Sequence, residues 1–257
     1  MDFISEENFY KHVEATIQCY GDKLASFDLR KFNKNIIDPV KLIFDKTVYC
    51  FTWEKIVKNE IFRQRDKSNN NDIGYFHQRI FQYVENCKVP LSGWDVIFEK
   101  PDIVVADDVK VSRVFVEMKN KHNTMNSSMS GKTYIKMQSQ LLNDDDCACL
   151  LVEVIAKTSQ NIPWTISVDS DKKKHRNIRR VSIDKFYELV TGQEDAFYKM
   201  CMQLPATIEK VVSETAANAV PHDSVLNELN EIANGKGGSF SLALYLLGFG
   251  SYGGFVT

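Results

Sequence analysis

The sequence predicts an α/β fold: a mixed central sheet flanked by helices, with helical additions at the N- and C-terminal ends. Three observations lead there. Apolar residues recur at helical spacing through the first ninety residues. Near Pro90 and Gly93 the texture changes to runs rich in Val, Ile and Phe, broken by turn residues. Strand-like and helix-like segments then alternate as far as Gly192, where helical periodicity returns. The expected organisation is a mainly helical region over 1–90, a core over 91–192 and a helical region over 193–257, packed as one compact unit.

In chain order, Phe9, Val13 and Ile17 mark a first helix. Trp53, Ile56, Val57 and Ile61 suggest a second, and Phe76, Ile80 and Val84 a third. Between the last two, the polar residues 67–72 read as a loop. Strands follow over 94–119, interrupted by Ala106, Asp107 and Asp108, and they end in Val114-Phe115-Val116-Glu117-Met118-Lys119. A polar loop over 120–131 leads to a helix over about 133–142. Strands are expected at 149–155, 164–168 and 178–181. Ser182 and Asp184 offer N-caps for a helix that Gly192 stops. The remainder is helical, with breaks at Pro205 and Pro221, and ends in a Gly-rich apolar tail.

The composition is that of a water-soluble chain, with 44% hydrophobic and 26% charged residues. Its longest apolar stretch is too short to span a membrane, and the first residues lack a secretion-signal pattern, so a cytoplasmic location is expected. The six cysteines form no C-x-x-C pair; Cys147 and Cys149 enter an apolar run and read as buried thiols, and a reducing compartment fits. A net charge of −2 argues against a general polyanion binder, but the positive charge is uneven. Lys119, Lys121, Lys132 and Lys136 fall close together, and Lys172, Lys173, Lys174, His175, Arg176, Arg179 and Arg180 make a dense run. Alone, such a run reads as a solvated loop.

The residues that carry chemistry are Pro101-Asp102 and Glu117-Met118-Lys119. Fifteen residues with a turn at their midpoint separate the two carboxylates, so antiparallel pairing is expected to set Asp102 beside Glu117. Glu117 and Lys119 share a strand face, while Val114, Val116 and Met118 face the core. Two carboxylates so close repel unless a cation lies between them, and hard oxygen donors suit Mg²⁺. A neighbouring ammonium can orient water and offset charge on a phosphate, which points to phosphodiester hydrolysis. Asp95 is the alternative partner of Glu117. Pairing from Asp95 would draw Pro101 into a strand interior, where it cannot donate a ladder hydrogen bond, so Asp102 is favoured.

These motifs resemble the PD-(D/E)XK nuclease superfamily. The longer run Val116-Glu117-Met118-Lys119-Asn120-Lys121-His122-Asn123-Thr124-Met125-Asn126-Ser127-Ser128 is similar to type II restriction endonucleases, in particular the group cutting GGNCC or GGWCC sites. The similarity continues through Lys132-Thr133-Tyr134-Ile135-Lys136-Met137-Gln138 and Leu151-Val152-Glu153-Val154-Ile155-Ala156-Lys157, and returns at Val181-Ser182-Ile183-Asp184-Lys185-Phe186-Tyr187. The resemblance implies a restriction-endonuclease-like core and a bacterial homodimer. Such an enzyme cuts both strands of a short palindrome in double-stranded DNA with Mg²⁺, alongside a cognate DNA methyltransferase. Asp102, Glu117 and the Met118 carbonyl would hold the metal, and Lys119 would position the water. A repair or junction-resolving nuclease of the same fold, and a non-catalytic DNA-binding protein, are the alternatives.

Other candidates follow from position and chemistry. The nucleases that the motif resembles often add a polar residue from an upstream helix or from the helix after the motif strand, and the resemblance so implies Glu60, Gln78 and Gln138 as candidate accessory residues. Lys121, His122, Asn123 and Asn126 leave the motif strand directly and suit DNA contact. Arg176, Arg179 and Arg180 have the donors that guanine O6 and N7 require.

Overall fold

The computed structural model describes residues 1–23, 26–122, 124–168, 171–215 and 222–249. Its helices are α1 (Glu6–Lys23), α2 (Leu29–Phe32), α3 (Pro39–Val48), α4 (Trp53–Arg79), α5 (Ser127–Asn143), α6 (Ile183–Thr191), α7 (Ala196–Thr215), α8 (Val225–Gly235) and α9 (Phe240–Phe249). Its strands are β1 (Cys87–Lys88), β2 (Val96–Ala106), β3 (Val109–Lys121), β4 (Cys147–Ile155), β5 (Asn161–Val168) and β6 (Asp171–Ser182). None of the described helices is long and apolar enough to cross a membrane. Contacts group the chain into two units, Met1–Ile17 with Asp72–Thr215, and Gln18–Asn71 with Ala216–Thr257.

The first unit is built on a six-stranded mixed sheet of order β1-β2-β3-β4-β6-β5. β2 and β3 form an antiparallel hairpin, β3, β4 and β6 run parallel, and β5 returns antiparallel to β6. Helices flank the sheet, the mixed α/β core of a restriction-endonuclease-like fold. Alternation along the strands gives each face its own core. Val114, Val116 and Met118 of β3 join Ala148, Leu150 and Val152 of β4 in one cluster with Phe81 and Phe186. On the other face, Cys149 and Leu151 of β4 and Ile178 of β6 pack against Tyr134 and Met137 of α5. Asn126 starts α5, its Oδ1 accepting the Met129 amide at 2.8 Å. Gly192 ends α6 with φ +72°, and its N–H donates to the Glu188 carbonyl at 2.8 Å.

The second unit is helical. Phe32, Leu42, Ile56, Val57, Ile61, Leu229 and Leu244 form its core, and Trp53 stacks on Phe240 at 4.8 Å. Asp28 and Asp38 cap α2 and α3, with Pro39 in the first turn, where its missing N–H costs nothing.

Four expectations change. The polar residues 67–72 are helical inside α4, where Asn70 Nδ2 donates to Asp66 Oδ2 one turn earlier at 3.0 Å. Apolar anchors on both sides carry the helix across a stretch of weak helix formers. Pro205 does not break α7, which is anchored before it by buried Met200 and after it by buried Val211. The basic run is no loop: residues 171–182 form β6, paired with β5 through Thr165–Lys174 and Ile166–Lys173. The polar connection after the motif strand is shorter than 120–131, because β3 reaches Lys121 and α5 starts at Ser127. Pro221 and the Gly-rich tail from residue 250 lie outside the described residues.

Candidate active site

The β2–β3 hairpin turns at Asp107 and Asp108, as its two-residue loop requires, but its register is irregular. Val96 pairs with Val116 and Glu99 with Arg113, and the next pair is Ile103 with Val111. Lys100, Pro101 and Asp102 therefore face Ser112 alone, a bulge in which Asp102 has φ +59°. The bulge accommodates Pro101 outside regular ladder positions, removing the objection to Asp95. Together with the turn position, it sets the level of each carboxylate. Asp95, one step beyond the Val96–Val116 pair, lies opposite Glu117, with its N–H donating to the Val116 carbonyl at 2.9 Å.

The expectation that pairing brings Asp102 beside Glu117 is therefore not met. Asp102 lies at the level of Ser112, about 17 Å along the strand from Glu117 at roughly 3.4 Å per residue. Its side chain is 76% exposed and pairs with Lys110 at 2.9 Å. Asp95 is half-buried, and its Oδ2 accepts the Met118 amide at 2.7 Å. Glu117 Oε1 accepts from Lys119 Nζ, and Glu117 Oε2 from Lys136 Nζ, each at 2.8 Å.

The electrostatics follow from this packing. Burial raises the Asp95 carboxyl above its usual range, and the Glu117 charge adds to that against the Met118 amide and both lysines. Burial also pushes Glu117 upward, but hydrogen bonds and charge from Lys119 and Lys136 outweigh it and hold that carboxyl low. Two carboxylates thus face each other across adjacent strands, and one of them is clamped by two ammonium groups. Among the described residues no three His, Cys, Asp or Glu side chains gather as a metal cluster. Two carboxylates fit an ion that keeps most of its shell for water and phosphate oxygens, as Mg²⁺ does.

Beside this group is a second cluster, in which His122 and Arg180, expected at the DNA, instead engage Glu153, a residue that sequence reasoning did not single out. Glu153 of β4, opposite Lys119 in the parallel register, is 2% exposed. Arg180 of β6 grips it bidentately, Nε donating to Oε2 at 3.0 Å and a terminal nitrogen to Oε1 at 2.5 Å. His122 Nδ1 lies 3.0 Å from Glu153 Oε2 and 2.7 Å from the guanidinium. Burial raises the Glu153 carboxyl, but Arg180 and His122 overcome this and hold it low. The sequence signal was a lone carboxylate in the otherwise apolar 147–155 run. For Lys136 the signals were its place in a cluster of lysines and in the run similar to restriction endonucleases.

The remaining candidates divide. Lys121 is exposed at the end of β3, and Arg176 is exposed on β6. Arg179 is not placed to read a base: it is 5% exposed, its Nε donating to Asn161 Oδ1 at 2.6 Å and Nη2 to the Asn161 carbonyl at 2.7 Å. Alternation along β6 turns it to the face opposite Arg180. The Asn126 side chain is engaged in capping α5. Gln138 is exposed, two positions from Lys136 and so on another side of α5. Glu60 belongs to the second unit, where Arg63 and Gln64 hold its carboxylate. Gln78 is half-buried on α4, with no hydrogen bond to Asp95 or Glu117. Asn123 lies outside the described residues.

Comparison with known proteins identifies the family. A family model described as Eco47II restriction endonuclease matches residues 1–213. Type II restriction enzyme Sau96I of Staphylococcus aureus is 28% identical over 217 residues, covering 81% of this chain and 80% of that enzyme. Type II restriction enzyme Eco47II of Escherichia coli is 29% identical over 225 residues, covering 83% of this chain and 89% of that enzyme.

Proposed function

Because the chain belongs to the Eco47II restriction endonuclease family, we propose that Asp95, Glu117 and Lys119 hydrolyse double-stranded DNA with Mg²⁺ at a short GC-rich palindrome. The observation that supports this site is the Asp95 carboxylate on the Met118 amide, directly across the ladder from Glu117 and Lys119. Asp95 and Glu117, with the Met118 carbonyl, would hold the ion. When bound, Mg²⁺ supplies charge to a phosphodiester and acidifies water. Lys119 orients the attacking water and faces the charge that develops on the phosphate. The Met118 amide fixes the Asp95 carboxylate, so the acidic pair is set before substrate arrives. Lys121 and the exposed residues Lys172, Lys173, Lys174 and Arg176 engage the DNA backbone. The buried Glu153–Arg180–His122 cluster braces the strand ends beside Lys119. The motif resemblance favours a site of the GGNCC or GGWCC kind, read by a homodimer that matches the palindrome's two-fold symmetry, with a methyltransferase protecting the host site.

Digestion of plasmid DNA with Mg²⁺ tests the reading. Wild-type protein and Asp102→Ala should give the same discrete fragments at similar rates, and Asp95→Ala, Glu117→Ala and Lys119→Ala none. An active Asp95→Ala beside an inactive Asp102→Ala would return the role to Asp102. A smear would refute site specificity.

A further inference from the structure

Both oxygens of Glu117 are occupied by ammonium groups, and the two lysines differ in how they get there. Lys119 is two residues along the same strand. Lys136 comes from α5, and its four-carbon stem reaches across to Glu117 Oε2 at 2.8 Å. Its ammonium also donates to the Gly93 carbonyl and lies 4.0 Å from the centre of the Trp94 ring. A carboxylate oxygen, a carbonyl oxygen and an aromatic face make a cation site, and the cation is tethered to the protein. Gly93 has φ +93°, a backbone conformation that glycine adopts freely, and it carries the carbonyl that faces this ammonium.

We infer that Lys136 is a tethered counter-cation that competes with the divalent ion for Glu117. The inference rests on the reading that Asp95 and Glu117 hold that ion. A carboxylate has about four lone-pair positions, so a divalent ion shares Glu117 with the ammonium groups and meets their charge. Lys136 is the more exposed of the two, 37% against 25% for Lys119, and its flexible stem lets the ammonium withdraw as the ion binds. Lys136 therefore keeps two facing carboxylates compatible before the ion arrives and lowers affinity for the ion. Removing one positive charge from about 6 Å of a divalent ion, even at the dielectric of water, strengthens binding by about tenfold.

Mn²⁺ binding to the full-length protein without DNA, followed by electron paramagnetic resonance, tests this directly. Lys136→Met should bind Mn²⁺ about tenfold more tightly than wild type. Lys136→Arg, which keeps the charge, and Lys132→Met, an exposed lysine one turn earlier on α5, should both match wild type. Lys136→Gln makes the same comparison if a thermal melt shows the Met variant unfolded. Equal or weaker affinity on neutralising Lys136, with binding still abolished in Asp95→Ala, would overturn the competition and leave the metal reading intact. Mn²⁺ binding independent of Asp95 would overturn both.

Discussion

At the scale of residues, the site sets like charges together and offsets them with neighbours. Asp95 and Glu117 meet across one rung of the hairpin, where repulsion would otherwise splay the strand ends, and Lys119 and Lys136 supply the opposing charge. Glu153 meets a different cost, that of burying a charge, and Arg180 offsets it as a fixed counter-ion. Such a pair contributes little net stability when intact but costs much when halved. Glu153→Gln keeps the shape and removes the charge that faces the guanidinium, so it should destabilise the protein by about 2–3 kcal/mol, discounted because Arg180 retains some exposure. Arg180→Met in the same chain should recover part of that loss. A double-mutant cycle from urea midpoints measures it, and strictly additive losses would show that the pair is not coupled.

Among the elements, β6 combines two jobs within one strand. Its first half, Lys172 to Arg176, is exposed and basic, and its second half is buried against β4 and β5. Neutralising Lys172, Lys173 and Lys174 to Ala should leave the fold intact, because exposed substitutions usually change stability by less than about 0.5 kcal/mol. Binding to all DNA sequences should weaken together. The slope of log affinity against log salt should fall by up to about 2.7, at about 0.9 for each phosphate no longer neutralised. An unchanged slope would remove this arm from the DNA-binding surface. The helix α4 and the bulge in β2 illustrate the opposite dependence, local sequence yielding to its surroundings. Polar residues 67–72 stay helical between anchored ends, and Pro101 stays in a sheet because two extra residues are inserted around it.

Over the whole molecule, buried histidines make the sheet-bearing unit sensitive to acid. His12 is 4% exposed beside Phe76, and burial lowers its pKa to about 4, the Phe76 carbonyl opposing. Burial lowers His77 likewise to about 4, with the nearby His12 adding to it. Above about pH 6.5, the unfolded value, both rings are neutral folded or unfolded, and their full contribution to stability is present. As pH falls from about 6.5 towards 4, the unfolded chain takes up protons that the folded unit refuses, so stability is lost. Each ring contributes up to about 3 kcal/mol to that loss. Urea midpoints from pH 7.5 to 4.5 should show the decline, and His12→Phe should flatten it. A wild-type profile that is level over this range would refute the assignment.

Much of this molecule was legible in its sequence because the relevant interactions are local. The alternation in Val114 to Lys119 fixes which side chains share a face, and a two-residue turn at Asp107 and Asp108 makes the hairpin. Gly192 ends α6 through the Glu188 carbonyl only four residues away. The family was legible as well, in the run that begins with Val116 and continues beyond Lys119. What required tertiary structure was every relation that spans separate elements. Spacing alone centred the hairpin midway between Asp102 and Glu117, but the turn falls at Asp107 and Asp108, nearer Asp102, and the bulge shifts the register further, so Asp95 and not Asp102 meets Glu117. Lys136 approaches from α5 and Glu153 from β4, and their distances to the motif depend on how helix and strands pack. Arg179 and Arg180 are neighbours in the chain, yet one anchors Asn161 and the other Glu153, because adjacent residues of a strand point to opposite faces of the sheet.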